Sequence, residues 1–396
     1  MVFLATAYAS SEKVLYAFNV KDGDLPEGGV VFDGSGNLYG TTFYGGTSAC
    51  EGHGCGLVFK LTPAGNGEWT ERAIYLFTGG SDGSHPNSRL VFDAAGNLYG
   101  TTYGAYYGGS GYGTAYRLSP NADGSWAFSL LHTFGSGDGI QPNGALAFDA
   151  NGDLFGVTNK GGTANVGTVF ELTPGAGGTW QETIVHSFTG GEDGKYPSDG
   201  VLFHDGSIFG TTESGGTGCP NNGCGVIFEL TPNGSGGWTM TFPRRFTGAL
   251  DGEEPLGLTF DSAGNLYGSA NGGKTTYCFD GCGLVYRMSE KSNGVWTFTV
   301  LHYFNGGNGL DPEAVLVDSS GTVYGDTDSG GQQGLGVAYS LDPTANWAET
   351  VLYNFSGGSD GGSPTSRLTM DSVGNLYGTG TYGGEGGGGV VFEVTP

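Results

Sequence analysis

A nine-residue motif, Phe-Asp-x-x-Gly-Asn-Leu-Tyr-Gly, recurs seven times along the chain in full or degenerate form. We number the repeats by its anchor residues, which are Asp33, Asp93, Asp149, His204, Asp261, Asp318 and Asp371. Successive anchors are 53 to 60 residues apart. A period of this size is typical of repeat architectures in which neighbouring modules bury a shared core. It is also long enough for four strands and their turns.

Each repeat has the pattern of four strands. The anchor ends the first strand, and the Gly and Asn after it supply the positive φ angles that a tight hairpin needs. The second strand begins at Leu-Tyr-Gly, and the third has the alternating form Gly-x-Val-Phe-x-Leu-Thr-Pro. The fourth runs from a Trp to a Phe eight residues later, as in Trp69 and Phe77. This even spacing predicts that Trp and Phe share one face and pack between neighbouring sheets.

The two ends of the chain have complementary patterns. Residues 10–18 match a fourth strand, whereas residues 389–396 match a third strand. The N-terminal strand can therefore complete the last repeat and cover both exposed sheet edges. We predict an all-β fold with residues 1–396 as a single domain. It is a seven-bladed β-propeller with four antiparallel strands per blade, closed by the N-terminal strand. An open solenoid is the alternative, but it would not need a chain that begins with a fourth strand and ends with a third strand.

Composition excludes several classes of protein. The 82 Gly show no collagen period, and no apolar run approaches the eighteen residues of a membrane span. The 39 acidic residues outnumber the 14 basic ones, which gives a net charge of −25. This charge repels nucleic acid and anionic membranes. We therefore expect neither nucleic-acid binding nor membrane insertion, and we expect a monomer.

The third-strand motif, the Val-Leu-His-x-Phe segments (130–134, 184–188 and 300–304) and the anchor motif resemble the GloVer tandem repeats of secreted bacterial proteins. The resemblance covers nearly the whole chain. It implies an exported protein, often anchored at the cell surface, and it supplies no catalytic motif. Members are expected to carry a signal peptide and a C-terminal sorting tail. This chain shows neither clearly, so we interpret it as a mature or trimmed form.

The six cysteines form three close pairs in the loops between second and third strands: Cys50 with Cys55, Cys219 with Cys224, and Cys278 with Cys282. The even number and local spacing favour three disulfides, and therefore an oxidising extracellular or cell-surface location. A zinc site made by the second and third pairs is the alternative. It is weaker because these spacings are poor zinc signatures.

Segment lengths show where the repeats differ. The distance from the anchor to the Gly that opens the third strand varies from 18 to 23 residues, whereas the first-strand segments hardly vary. In a propeller the loops that cause this variation surround one mouth of the central channel. Variable loops on a constant scaffold are typical of binding surfaces.

Two basic residues break the pattern of the first strands. Most repeats place Gly or Ala near the third position after the first-strand Pro, but the second and seventh repeats place Arg89 and Arg367 there. In a closed ring these two flank the first repeat. Arg pairs suit carboxylate recognition, as in a uronic acid. The alternative is that both pair with nearby acidic groups.

Further candidates cluster in the same sector or decorate the variable loops. Glu27, Glu51, His53 and His85 belong to the sector of the first repeat. Tyrosines on the loops suit stacking against sugars, although they can equally pack the loops themselves. The tyrosines are Tyr44, Tyr106, Tyr107 and Tyr382.

Calcium is the one cofactor that the sequence leaves open. An Asp-Gly-x-x-Pro segment precedes the first strand in most repeats, including those of Asp82, Asp138, Asp193, Asp251 and Asp360. With one carboxylate per loop, a hydrogen-bonded turn is favoured over a ring of calcium ligands. We therefore expect no metal site and no organic cofactor.

The leading hypothesis is an exported propeller that binds a carbohydrate or a cell-surface ligand on its variable-loop face. The alternative is a polysaccharide lyase or hydrolase that acts at the funnel mouth on an acidic glycan. In a lyase, Arg89 and Arg367 would neutralise a uronate while His53, His85 or a loop Tyr transfers the proton. A structural role in adhesion is a third hypothesis.

Overall fold

The computed structural model describes residues 10–104, 111–219, 223–273, 278, 281–292 and 294–396. These residues form β-strands and turns, with short 3-10 segments at Cys50–Gly52, Ala176–Gly178 and Pro343–Ala345. Among the described residues there is no helix long and apolar enough to cross a membrane.

Strand bounds follow the repeat pattern. Strand β1 is Ser11–Ala17. The first repeat has β2 (Val30–Phe32), β3 (Leu38–Thr42), β4 (Leu57–Pro63) and β5 (Trp69–Leu76), and the second has β6 (Val91–Phe92), β7 (Leu98–Thr102), β8 (Thr114–Pro120) and β9 (Trp126–Thr133). The third has β10 (Ile140–Phe148), β11 (Leu154–Lys160), β12 (Thr168–Pro174) and β13 (Trp180–Ser187), and the fourth has β14 (Lys195–His204), β15 (Ser207–Ser214), β16 (Val226–Pro232) and β17 (Trp238–Arg245).

The last three repeats continue this order. The fifth has β18 (Glu253–Phe260), β19 (Leu266–Asn271), β20 (Leu284–Glu290) and β21 (Trp296–Tyr303). The sixth has β22 (Leu310–Pro312), β23 (Leu316–Val317), β24 (Val323–Ser329), β25 (Val337–Asp342) and β26 (Ala348–Asn354). The seventh has β27 (Gly362–Pro364), β28 (Thr369–Met370), β29 (Leu376–Tyr382) and β30 (Val390–Thr395).

Within each repeat the strands pair antiparallel in sequence order, and the first strand of the sixth and seventh repeats is split in two. A single parallel bridge, Ala145 with Gly200, joins the third and fourth repeats into one eight-stranded sheet. Strand β1 pairs antiparallel with β30, with Ser11 opposite Thr395. The predicted pairing of the two chain ends is therefore confirmed.

The anchor turn is held by its Asp. In the first repeat the Asp33 carboxylate accepts hydrogen bonds from the backbone N–H groups of Ser35 and Asn37, from the Asn37 side chain and from the Tyr39 hydroxyl. Gly36 has φ = 81°, which favours glycine. Asn37 does not adopt a positive φ, contrary to the prediction. Its role is to bind the anchor through its side chain.

The prediction that Trp and Phe of the fourth strand share a face is wrong. In β5 a bulge interrupts the pairing, since Phe59 lies opposite Ala73 but Val58 lies opposite Tyr75. The extra residue reverses the alternation along the strand. Trp69 therefore packs with the seventh repeat, whereas Phe77 packs with the second. Both residues still lie between neighbouring sheets, but on opposite faces.

The core consists of clusters that each join one repeat to the next, from the first and second repeats through to the sixth and seventh. A further cluster joins the seventh repeat to the first. In that cluster the rings of Phe32 and Tyr377 meet edge to face at 4.9 Å. The Thr369 hydroxyl also donates a hydrogen bond to the Val30 carbonyl at 2.5 Å. The last repeat is thus packed directly against the first.

Each of the three cysteine pairs forms a disulfide, as predicted. Their sulfurs are therefore not available as thiolate ligands for zinc. Disulfides of this kind fit an oxidising, extracellular compartment.

Candidate functional site

A cavity of about 270 Å³ is lined by residues that lie in or next to the first strands of all seven repeats. One lining residue from each repeat, in chain order, is Glu27, Asn87, Asn143, Asp199, Leu258, Glu313 and Thr365. Because every repeat contributes, the cavity lies where the sheets converge. We call it the axial cavity.

Arg89 and Arg367 both line the axial cavity. Arg89 donates a hydrogen bond from Nη2 to the Thr369 hydroxyl at 2.7 Å, and its Nε is buried without a partner. Arg367 donates from Nη2 to the carbonyl oxygen of Leu258. Each guanidinium is therefore held by a neutral oxygen. Among the described residues, neither forms an ion pair with a carboxylate.

The two arginines are close enough to influence each other. Burial, and then the charge of Arg367, lower the pKa of Arg89 to about 9. Burial lowers the pKa of Arg367, while the negative charge of Asp199 acts in the opposite direction. A guanidinium stays protonated in proteins, so both groups are cationic at neutral pH. They form a half-buried, like-charged pair at the wall of the axial cavity, which costs free energy unless an anion compensates it.

The carboxyl groups of the axial cavity are shifted toward their neutral forms. Burial raises the pKa of Glu27 to about 7. Burial, followed by the charges of Asp199 and Asp326, raises the pKa of Glu313 well above its usual range. Burial also raises the pKa of Asp199, although hydrogen bonding from Gly257 and the charge of Arg367 lower it. Glu27 and Glu313 therefore offset less of the positive charge than fully ionised carboxylates would.

The residue before the first-strand Pro is left-handed in every repeat, with φ between 49° and 60°. In six repeats its N–H donates to the carbonyl that precedes the third-strand Gly of the preceding repeat. A left-handed residue other than Gly is strained. The side chains nevertheless differ in all seven repeats: Leu25, His85, Gln141, Tyr196, Glu254, Asp311 and Ser363. Sequence reasoning missed these positions because φ is not visible in the Asp-Gly-x-x-Pro pattern.

A second set of varied side chains lies at the third position after the Gly of each Leu-Tyr-Gly: Phe43, Tyr103, Asn159, Glu213, Asn271, Asp328 and Thr381. The two sets touch. Asn271 donates to the Glu254 carboxylate at 3.3 Å, and Phe43 stacks on His85 at 4.7 Å between ring centroids. We call the two sets together the mouth residues. Their backbone conformation is the same from repeat to repeat, whereas their side chains differ.

One sector of the mouth is aromatic. Besides its stacking on His85, Phe43 meets Tyr44 edge to face at 4.8 Å and Tyr103 at 6.2 Å. Tyr44 also lies against His85 at 5.2 Å and His53 at 5.8 Å. The loops of the first and second repeats thus form one continuous group of rings.

Another sector of the mouth is acidic. Burial, then the charges of Glu254 and Asp199, raise the pKa of Glu213 to about 7. Burial also raises the pKa of Asp311 and of Asp328. The side chain of Asn159 donates to the Glu213 carboxylate at 3.4 Å. Glu213 can therefore accept or donate hydrogen bonds near neutral pH.

A model of the Gloeobacter/Verrucomicrobia repeat matches the chain three times, over residues 1–197, 105–294 and 278–396. The chain belongs to this repeat family. A comparison with curated proteins gives no match.

Three solved structures are similar at low identity. A protein of unknown function from Dyadobacter fermentans is 12% identical, with a TM-score of 0.48 over 97% of this chain and 96% of its own. A luciferin-regenerating enzyme is 12% identical, with a TM-score of 0.47 over 78% and 90%. A PQQ-bound aldose sugar dehydrogenase from Streptomyces coelicolor is 13% identical, with a TM-score of 0.49 over 97% and 98%. We draw no conclusion about activity from similarity at this level.

In this Gloeobacter/Verrucomicrobia repeat protein the two candidate histidines lie apart from the arginines. His85 is buried against Phe43, its Nδ1 is 2.8 Å from the Gly104 carbonyl, and burial lowers its pKa. Neither His53 nor His85 lines the axial cavity. The constellation expected of a lyase, with two arginines and a histidine around one uronate, is therefore not assembled.

The other predicted site residues are scattered. Glu51 is exposed in the 3-10 turn inside the Cys50–Cys55 disulfide, and Tyr382 is 56% exposed at the end of β29. Tyr106 and Tyr107 lie outside the described residues. Of the predicted set, Glu27, Arg89 and Arg367 share the axial cavity, while Tyr44, His53 and His85 share the aromatic sector.

The Asp-Gly-x-x-Pro carboxylates bind the protein's own backbone. Asp82 accepts hydrogen bonds from the Thr78 N–H at 2.9 Å and the Thr78 hydroxyl at 2.6 Å. Asp360 accepts the equivalent pair from Ser356. This is the geometry of the turn that the sequence favoured over calcium ligation.

Proposed function

We propose that this protein is an exported, closed seven-bladed β-propeller whose mouth residues bind a carbohydrate. The closed ring is supported by the pairing of β1 with β30 and by the packing of Tyr377 against Phe32. Export is supported by the three disulfides.

One observation carries the proposal. The pre-proline positions adopt the same strained backbone in all seven repeats but carry seven different side chains. A purely structural requirement for a left-handed residue would favour Gly at each of them. Strained residues cluster at binding and active sites, where the surrounding structure holds them in place. Constant geometry with varied chemistry is what a recognition surface requires.

The chemistry of the mouth suits a sugar. Tyr44 and its neighbouring rings offer apolar surface on which the C–H face of a pyranose can stack. The carboxyl groups of Glu213 and Glu254 are placed to bind hydroxyl groups, which are both donors and acceptors. A ligand that spans both sectors would use one apolar face and several hydroxyls.

A panel of purified glycans tests the proposal. We expect saturable binding to at least one glycan, weakened about tenfold by Tyr44→Ala because a ring stacked on a sugar is worth roughly 1 to 1.5 kcal/mol. Tyr303→Ala on the outermost strand β21 is the matched control and should bind normally. Binding that Tyr44→Ala leaves intact, or no binding to any glycan, would contradict the proposal.

A further inference from the structure

We propose that the axial cavity binds one compact oxyanion between Arg89 and Arg367. This site is separate from the mouth residues, because it lies further along the first strands. Its ligand class also differs from a neutral sugar.

The placement of the two arginines argues for a ligand. The equivalent position in the other five repeats is small or apolar: Gly29, Ala145, Gly200, Leu258 and Val315. The fold therefore does not need a cation at this position. A half-buried guanidinium without a carboxylate ion pair loses part of its hydration, which a neutral side chain would not lose. The presence of two such guanidinium groups in one cavity is explained if a bound anion balances their charge.

The hydrogen bonds orient both guanidinium groups. Thr369 accepts from Arg89 and itself donates to the Val30 carbonyl, so its hydroxyl has a fixed direction. Arg367 is fixed from the fifth repeat by the Leu258 carbonyl. Arg89 keeps a buried Nε–H without a partner. A planar guanidinium group with free N–H donors matches the geometry of the oxygens of a carboxylate, phosphate or sulfate.

The cavity is large enough for a compact anion. Its volume of about 270 Å³ is room for an inorganic oxyanion or a small carboxylic acid with some water. The shared chemistry is a compact group with two or more oxygens that carry negative charge.

Other charged groups in the cavity make binding depend on pH. The groups that face the arginines are Glu27, Asp199 and Glu313. Since burial raises the pKa of Glu27 to about 7, this group is mostly neutral at pH 6 and mostly ionised at pH 8. Its ionisation adds negative charge near the anion. For an anion whose own charge is constant in this range, such as sulfate or acetate, affinity should therefore fall as the pH rises through about 7.

Calorimetric titration at pH 6 and low ionic strength tests the site with phosphate, sulfate, acetate and glucuronate. We expect one anion per chain, bound at least tenfold more weakly by Arg89→Gln and Arg367→Gln. Arg72→Gln is the control, since Arg72 lies on the outer strand β5 and donates to the Gly124 carbonyl. Binding of phosphate or sulfate would identify an inorganic source, and binding of the carboxylates alone would identify an organic acid. No saturable binding, or binding unchanged in both axial variants, would overturn the proposal.

A second measurement does not depend on the variants folding. Crystals of the unaltered protein grown with selenate should show an anomalous peak in the axial cavity beside Arg89 and Arg367. Absence of a peak there at saturating selenate would also overturn the proposal. Tyr44→Ala should leave anion binding unchanged. The proposal of an anion site and the proposal of a sugar site can therefore be contradicted independently of each other.

Discussion

Gly389 in the last repeat lies directly against Pro26 in the first, where a Cβ on Gly389 would come within 2.6 Å of the proline Cδ. The same contact joins every repeat to the next, at 2.1 to 2.8 Å: Gly56 to Pro86, Gly113 to Pro142, Gly167 to Pro197, Gly225 to Pro255, Gly283 to Pro312 and Gly336 to Pro364. The junction between the chain ends therefore has the same packing as the junctions between sequence neighbours. Such equivalence is expected of a closed ring.

The first prediction concerns this junction. Gly389→Ala should destabilise the protein by about 2 kcal/mol more than Gly387→Ala, because overpacking costs typically about 1 to 3 kcal/mol. Both glycines are left-handed, with φ of 89° and 77°, but a Cβ on Gly387 meets nothing within 4 Å. The control thus carries the backbone strain without the clash. The Cβ on Gly389 would also lie 2.6 Å from the Gly380 carbonyl oxygen within the seventh repeat. Urea unfolding with the disulfides intact gives both values, and equal losses would contradict the close packing around Gly389.

A second prediction concerns Glu residues on the outer strands. Glu12 lies near Tyr353 and Asp360, so the N-terminal strand contacts the sixth repeat through this side chain. Burial, followed by the charge of a neighbouring Asp, raises the pKa of each of Glu12, Glu71 and Glu182 to about 7. The folded protein therefore binds more protons than the unfolded chain between about pH 4.5 and 7.

Stability should consequently fall as the pH rises through this window, because the contribution of the protonated groups is lost. We expect a lower thermal midpoint at pH 8 than at pH 5 at constant ionic strength. The triple variant Glu12→Gln, Glu71→Gln, Glu182→Gln should reduce this fall, whereas Glu68→Gln in an exposed turn should not. An unchanged slope in the triple variant would show that these three groups do not carry the effect.

The third prediction concerns the Cys50–Cys55 disulfide, whose cysteines are five positions apart. Replacing both cysteines with Ala should lower the free energy of unfolding by about 2 kcal/mol, as expected from the entropy of closing so short a loop. The Cys278–Cys282 pair has a similar separation and should give a similar loss. Guanidinium unfolding of the two double variants measures both. A loss near zero in both would mean that the loops are held by their packing alone.

The fourth prediction concerns the strained pre-proline positions. Gln141 has φ = 59° and a buried side-chain Oε1 without a partner. Gln141→Gly should raise the free energy of unfolding by about 0.5 kcal/mol, because relief of roughly 1 to 2 kcal/mol of strain exceeds the added chain entropy of Gly. Gln181→Gly, at an exposed position in the extended strand β13, should instead cost about 1 kcal/mol. Equal losses at both positions would contradict the left-handed geometry.

The repeat spacing and its permuted ends were enough to predict the four-strand pattern and the pairing of β1 with β30. Local signals could not predict the bulge in β5, because the corresponding strands of the other repeats are also bulged, so the extra residue such as Ile74 is hidden in a constant Trp-to-Phe spacing of eight. The bulge nevertheless reverses the face of every later residue in the strand.

The candidate site was predicted less well than the fold. Arg89 and Arg367 were visible as exceptions in an acidic chain, and ring order predicted that they flank one repeat. The mouth residues were missed because their shared property is a backbone angle, as at Gln141 and Ser363. His85 was selected because it precedes Arg89 in the sector of the first repeat, and the structure places it against Phe43 and away from the axial cavity.

The closed ring of seven repeats is the central claim, since both proposed sites depend on it. Distances between spin labels at exposed anchor-turn positions test it directly: Ser35 in the first repeat, Ala95 in the second, Asp205 in the fourth and Val373 in the seventh. We predict that the distance from Ser35 to Val373 equals that from Ser35 to Ala95 and is shorter than that from Ser35 to Asp205. A distance from Ser35 to Val373 that is the longest of the three would show an open array and contradict the account.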